Sequence, residues 1–500
     1  MDQDTSRFPS PVYKDTVLAP LFEGVKRYHW RYQMQINFAH AVMLAEQGLL
    51  TPDEARLILD GLTDILEALD LDSLVYTGEH EDFFFWVESE LRQRLGPDVA
   101  GRLHTGRSRN DIDHTVFKLA LKERLAQFRD QLASLVEALI RVAEREAATI
   151  VIAYTHGQPA QPTTFGHYLG AIIEVLLRDL DRLEEVHRTV DLSSMGAAAI
   201  TTTGFPLDRE RVASLLGFGG VQENSYGCIA ACDYTSATYS AVKLVFLHLG
   251  RFIQDLNQWT GFETGHLYVP NAFVQISSIM PQKRNPVPIE HLRLMSSLAI
   301  GRCDTILTTL HNTPFTDMND NEGEVHAAGY EAFDTGARVF SLLAALIEAV
   351  QVDQAKVRAH IESSCITVTE LADTMVREEG LPFRIAHEIA GGLARAMIAA
   401  GEGPSTVPFE RFQLLFEQHA KRPPRLDQAS FRAALSPERF VSVRTVLGGP
   451  ALAPLAKALA GYRTRLSVER DHQVQHQVDL EEAAERLAAQ VSLWRSGGLG

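Results

Sequence analysis

The chain has 500 residues, 45% hydrophobic and 22% charged, with a formal net charge of −17. That composition fits an ordinary globular protein of about three units, and the acidic balance excludes the basic footprint of a nucleic-acid binder. No apolar run reaches the ~18 residues of a membrane span. The N-terminal MDQDTSRFPSPVYKD has neither the basic nor the apolar region of a secretory signal. Four cysteines are too few for a disulfide scaffold. The expectation is a cytoplasmic protein without membrane contact. Cys228 and Cys232 are four apart, which suits one helix face and a structural role better than a metal site.

Before residue 112 the text reads as short helices and loops. Over 115–149, Leu121, Leu125, Phe128, Leu132, Leu135, Leu139 and Val142 recur at alternating steps of four and three. This heptad-like pattern predicts a long helix packed nearly parallel to its neighbours. Further long helices are predicted over 167–190, 233–258, 287–312 and 323–352. Val339 to Val350 is apolar on most sides, as in a helix buried all round. Helices this long point to a bundle, and such apolar faces are expected to be covered by copies of the same chain. After about 360 the pieces shorten again: VTELADTMVREEG, FRIAHEIAGGLARAMIAAGEG and a bend at Lys421-Arg422-Pro423-Pro424. The last 35 residues read as a polar helix with a frayed SGGLG end. Strand signal is sparse. The expected fold is all-α, divided into 1–111, 112–360 and 361–500.

Three polar loops interrupt the helical text. The first, GRLHTGRSRND over 101–111, offers Ser108, Arg109 and Asn110 beside two glycines. A guanidinium can grip a carboxylate bidentately, with the hydroxyl and amide adding neutral bonds. The plainer reading is a capping loop with Asn110 or Asp111 as N-cap. The second, YTHGQPAQP, holds Thr155 and His156; a lone histidine of this kind is commonly structural. The third, SSIMPQKRNP over 277–286, holds Ser277, Gln282, Lys283 and Asn285, with Pro286 suited to the first turn of the next helix and Glu290 one turn inside it. A helix start favours negative charge. No HExxH, Cys/His cluster or GxxxxGK[ST] is present, so neither metal nor nucleotide has a motif. Carboxylate clamps, a hydroxyl near cations, a histidine and a carboxylate suit proton abstraction beside a carboxylate, with loss of a group from the neighbouring carbon.

In order and spacing these loops resemble those of the fumarase/aspartase superfamily. The third resembles its GSSxMPxKxN signature, with Ile276 in place of the usual glycine, and GRLHTGRSRND resembles the argininosuccinate lyase version of the first. The resemblance implies a central five-helix bundle between two small helical domains. Four chains would pool a twenty-helix core, with each active site shared by three chains. It implies a fumarate-releasing carbon–nitrogen lyase that needs no cofactor or metal and acts on a small dicarboxylate. Ser277 would be the base, and Lys283, Asn285 and loop amides would stabilise the aci-carboxylate. Ser108, Arg109, Asn110, Thr155 and Gln282 would bind substrate. His156 would assist the leaving amine, with Glu290 orienting it, and the third loop would close over the substrate.

The amine half is rewritten relative to that family. Phe84 stands where a histidine is usual, Cys232 where an arginine is usual, Asn319 in place of a glutamine and Glu322 in place of a lysine. Argininosuccinate is the leading substrate expectation. A lyase for another aminocarboxylic acid, of the ethylenediamine-disuccinate type, is the sibling reading. An inactive crystallin-like scaffold is the reading from another class.

Overall fold

The computed structural model describes residues 8–497. After a short helical lead-in over 11–18 come α1 (Ala19–Tyr28), α2 (Trp30–Glu46), α3 (Pro52–Ala68) and α4 (Phe83–Arg102). Five long ones follow: α5 (Arg109–Arg145), α6 (Phe165–Val190), α7 (Asp233–Thr260), α8 (Val287–Leu310) and α9 (Gly323–Ala349). They close a ring, α5 packing on α6 and α9, α7 on α6 and α8, and α8 on α9. The expected all-α architecture with a five-helix bundle is what the chain adopts.

The seam of α5 explains the ring. All seven heptad residues from Leu121 to Val142 are buried within the single chain, against facing helices rather than a second copy, contrary to expectation. The same holds for Val339, Phe340, Leu343, Leu346 and Ile347 on α9. Three large residues left exposed on the bundle are Leu247 on α7 and Leu294 and Leu298 on α8. Where α6 crosses the end of α5, a Cβ on Gly166 would stand 2.4 Å from the Ala143 carbonyl oxygen. That close approach requires glycine.

Helices α10 (Val368–Glu379), α11 (Phe383–Ala400) and α12 (Phe409–Ala420) end at Gly380, Gly401 and Lys421, each in the left-handed conformation that closes a helix. They enclose a second core spanning residues 365–435. The final helix, α13 (Leu452–Arg495), returns to the first core, lying along α5, α6 and α3. It buries few apolar residues, among them Leu455, Leu459 and Leu466, and a buried ion pair adds to its hold. Arg129 Nε and Nη2 each donate at 3.0 Å to Glu469. The helix stays regular to Arg495; the last three residues of the expected frayed end lie outside the described residues.

Two short hairpins were not foreseen. One pairs β1 (Ile150–Thr155) with β2 (Gln158–Thr164); the other pairs β3 (Gln275–Ile276) with β4 (Arg284–Asn285). Cys228 and Cys232 do not share a helix face: one helix ends at Ala230 and the next begins at Asp233. All four cysteines are free thiols. Among the described residues no helix is long and apolar enough to cross a membrane.

Candidate active site

The first loop is a helix cap, but the cap is Ser108 rather than Asn110 or Asp111. Ser108 Oγ accepts from the Asn110 amide, and Asp111 Oδ1 accepts from the Ser108 amide at 2.9 Å, a reciprocal capping box. Asp111 Oδ2 accepts from the Gly196 and Ala198 amides, each at 2.9 Å, tying a second loop to the start of α5. The Asn110 side-chain amide donates to the Ala199 carbonyl at 3.0 Å. Arg109 Nη1 donates to Glu81 at 3.0 Å and to Asp82 at 2.7 Å. The other edge of its guanidinium, Nε and Nη2, has no partner among the described residues.

Thr155 and His156 sit at the tip of the β1–β2 hairpin. His156 and Gly157 are its two central turn residues, with φ of 54° and 73°. Positive φ at both positions is the signature of a type I′ turn, which fits the twist of the strands. The turn lifts both side chains into solvent, and Thr155 and His156 are exposed.

The third loop leaves β3 and returns at β4, so residues 277–283 form a projecting tongue. Its root is pinned by Arg284, which donates to the Tyr268 hydroxyl at 2.9 Å and the Val269 carbonyl at 2.6 Å. Ser277 Oγ accepts from the Met280 amide at 3.1 Å and the Ile279 amide at 3.4 Å. Two amide dipoles thus point at the hydroxyl oxygen, an arrangement that favours its anion. Lys283 Nζ has no ion-pair or hydrogen-bond partner among the described residues. Gln282 is exposed and Asn285 half-buried. Pro286 is the N-cap of α8 rather than its first-turn residue, and Glu290 lies exposed in that first turn. Ile276, in the usual glycine position, is 81% exposed, and Ile279 is 82% exposed.

Among the described residues no hydrogen bond or ion pair joins these three loops to one another. Of the sequence-predicted residues, Arg109 and Asn110 share a cavity of about 360 Å³ with residues of the α4 start and the α9 start. Its wall carries Glu81, Asp82, Asp113, Asp317 and Glu322, with His29 and Gln33 below. Burial raises the carboxyls of Asp113, Asp317 and Glu322 above the usual range, and for Asp113 the neighbouring Asp82 and Glu322 push the same way. Burial drives His29 down to about 3, so it stays neutral. The sequence reading missed Asp113, although it lies four residues beyond Arg109 and so on the same helix face. It also missed Gln33 and His29, which no local motif marks.

A family model described as Lyase matches residues 23–301, and one described as Argininosuccinate lyase C-terminal matches residues 365–442. The chain is 56% identical over 463 residues to a protein of Agrobacterium fabrum named argininosuccinate lyase 2, covering 93% of this chain and 92% of that one. The chain belongs to the argininosuccinate lyase family. A Methanocaldococcus jannaschii argininosuccinate lyase is 33% identical across 86% of this chain and 87% of its own. As an argininosuccinate lyase-family member the chain is a lyase enzyme with the fumarase/aspartase fold. A solved structure of an EDDS lyase variant with bound fumarate superimposes with a TM-score of 0.85 at 28% identity, covering 97% of this chain and 96% of that one. Of the residues that depart from the family pattern, Asn319 and Glu322 line the cavity and Phe84 and Cys232 do not. Phe84 is buried, with the Arg107 guanidinium 5.5 Å from its ring centre, and Glu322 adds a carboxylate to the wall.

Proposed function

We propose that this enzyme eliminates fumarate from an N-substituted L-aspartate, with argininosuccinate as the first substrate and arginine as the amine released. The observation that carries the reading is the Ser277 oxygen, held by two backbone amides on the same tongue as Lys283, which has no partner among the described residues, in a chain of this family. Ser277 takes the proton from Cβ, and the electrons move into the neighbouring carboxylate. Lys283, Asn285 and the loop amides stabilise that dianion. The dianion then collapses: the Cα–Cβ double bond forms, the C–N bond breaks, and the nitrogen takes a proton. His156, oriented by Glu290, supplies that proton directly or through water. Arg109 through its free edge, with Ser108, Asn110, Thr155 and Gln282, holds the carboxylates.

The separation of the three loops within one chain supports assembly of each site from several chains of a homotetramer. The exposed Leu247, Leu294 and Leu298, and Ile276 and Ile279 on the tongue, are apolar surface that a second copy would cover. The enzyme would then work in the cytoplasm on a small soluble dicarboxylate. The likeness to EDDS lyase favours, as second reading, an aminocarboxylic acid with a different amine half.

The test is the absorbance of fumarate released from argininosuccinate by the purified protein. No fumarate from argininosuccinate or from ethylenediamine-disuccinate, and none consumed with any amine, would end this reading.

A further inference from the structure

A separate cavity, of about 460 Å³, lies at the foot of the β1–β2 hairpin, and no residue given a role in the elimination lines it. Asp255 and Trp259 line it from α7, four residues apart and so on one helix face. Tyr168 lines it from the first turn of α6 and Tyr154 from β1. The ring centres of Tyr168 and Trp259 are 4.6 Å apart and their planes are inclined at 41°, which makes two aromatic walls meeting at an angle.

The cavity carries one charge of each sign, and each is only partly used. Asp255 Oδ2 accepts from the Tyr168 hydroxyl at 2.8 Å, and Asp255 Oδ1 has no partner among the described residues. Arg444 Nη1 donates to Glu370 at 2.9 Å and to the Phe440 carbonyl, and Arg444 Nη2 has no partner among the described residues. The lining residues include no other carboxylate, lysine or arginine. His167, which also lines the cavity, is committed at both ring nitrogens, to the Thr163 hydroxyl at 2.8 Å and to the Gly448 carbonyl at 2.9 Å.

A spare carboxylate oxygen beside two aromatic faces suits an organic cation, which both the charge and the rings attract. A spare guanidinium nitrogen suits a carboxylate. The volume is that of a small-molecule pocket. We propose that this cavity binds a cationic amino acid, with its side-chain cation on Asp255 against Tyr168 and Trp259 and its carboxylate on Arg444. Arginine has both ends, and only its choice as probe rests on the fumarate-releasing reading above. Tyr154 and Gly157 line the cavity from either side of Thr155 and His156, so an occupant touches the hairpin that carries the proposed acid.

The experiment titrates L-arginine into the full-length protein without fumarate and follows tryptophan emission. Trp259 is one of four tryptophans, so the parent is compared with Trp259→Phe. The parent should show a saturable change that Trp259→Phe lacks. Asp255→Asn should raise the half-saturating concentration by about ten-fold or more, the factor that one charged contact carries. In the parent, agmatine, which lacks the carboxylate, and norleucine, which lacks the side-chain cation, should each bind at least about ten-fold more weakly than arginine; this comparison needs no variant. No saturable change in the parent, an unchanged half-saturation in a folded Asp255→Asn protein, or norleucine binding as tightly as arginine would overturn the inference. The lyase reading is untouched by any of these results, since it stands or falls on the release of fumarate.

Discussion

Arg109 Nη1 lies 2.7 Å from Asp82 Oδ2 and 3.0 Å from Glu81 Oε1, with the guanidinium 5.1 Å from the centre of the Phe85 ring. Both acids fall on one nitrogen. They fix the plane of the guanidinium, and the edge carrying Nε and Nη2, without a partner among the described residues, is the one proposed to hold a substrate carboxylate. A lysine has no second edge to offer. Arg109→Lys should therefore lower kcat/KM for the elimination by roughly ten- to a hundred-fold, mainly through KM, as a lost charged hydrogen bond does. Steady-state kinetics check this, and a melting temperature within a few degrees of the parent's shows that the fold is kept.

Ser277 is held differently, by donors alone. Two amides point at its oxygen, and no carboxylate or imidazole accepts its proton among the described residues. The role of base proposed for it thus depends on the electropositive tongue. Ser277→Ala should assemble normally and lose at least about 10³-fold in turnover, within the 10²–10⁴ that general-base steps carry. If this variant turned over near normally while Ser278→Ala was inactive, the role would belong to the second serine.

Separated loops make a prediction about assembly. When Ser277→Ala and His156→Ala proteins are mixed under conditions that exchange subunits, activity should return in part. Some sites in the mixed oligomers would combine a native tongue with a native hairpin from another chain. Neither protein alone should regain activity under the same treatment. A fully active monomer by light scattering would exclude the shared-site arrangement.

The bundle was legible because its apolar residues keep one period over many turns, as Leu121 to Val142 do on α5. Its ends were less so. The helix begins at Arg109 rather than 115, because Ser108 and Asp111 cap each other, and it ends at Arg145 rather than 149, before β1. The sequence suggests a turn at Gly157-Gln158-Pro159, one residue late, because His156 does not advertise its positive φ. The packing of α13 could not be read from its sparse apolar residues. Arg129 and Glu469 are 340 positions apart and meet only in the fold. The residues proposed to bind carboxylates were visible as motifs, whereas the cavity was not. Asp113 shared the face of Arg109, yet its acidic company comes from the residues just before α4 and from the approach to α9.

The buried histidines set how the protein responds to acid. His29, His40 and His114 are at most 4% exposed. Burial lowers them to about 3, about 3 and about 4, with Arg124, Arg107 and Lys118 respectively adding repulsion. Their unfolded value is near 6.5. Between that value and their folded ones, the unfolded chain binds protons that the folded chain refuses. Stability is therefore full above about pH 6.5 and falls as the pH drops toward 4, by up to about 1.4 kcal/mol per pH unit for each histidine. Asp113 and Glu322 act in the opposite sense, since their raised carboxyls take up protons earlier in the fold than in the unfolded chain. A single-site comparison separates the two effects. His40 Nε2 lies 2.9 Å from the Thr105 carbonyl oxygen and donates to it, a bond that a glutamine amide can replace without titrating. The parent melting temperature should be level from pH 8 to 7 and drop from pH 7 to 5, and His40→Gln should drop less over the second interval. Equal drops in the two proteins would mean that His40 is protonated in the folded state at pH 5.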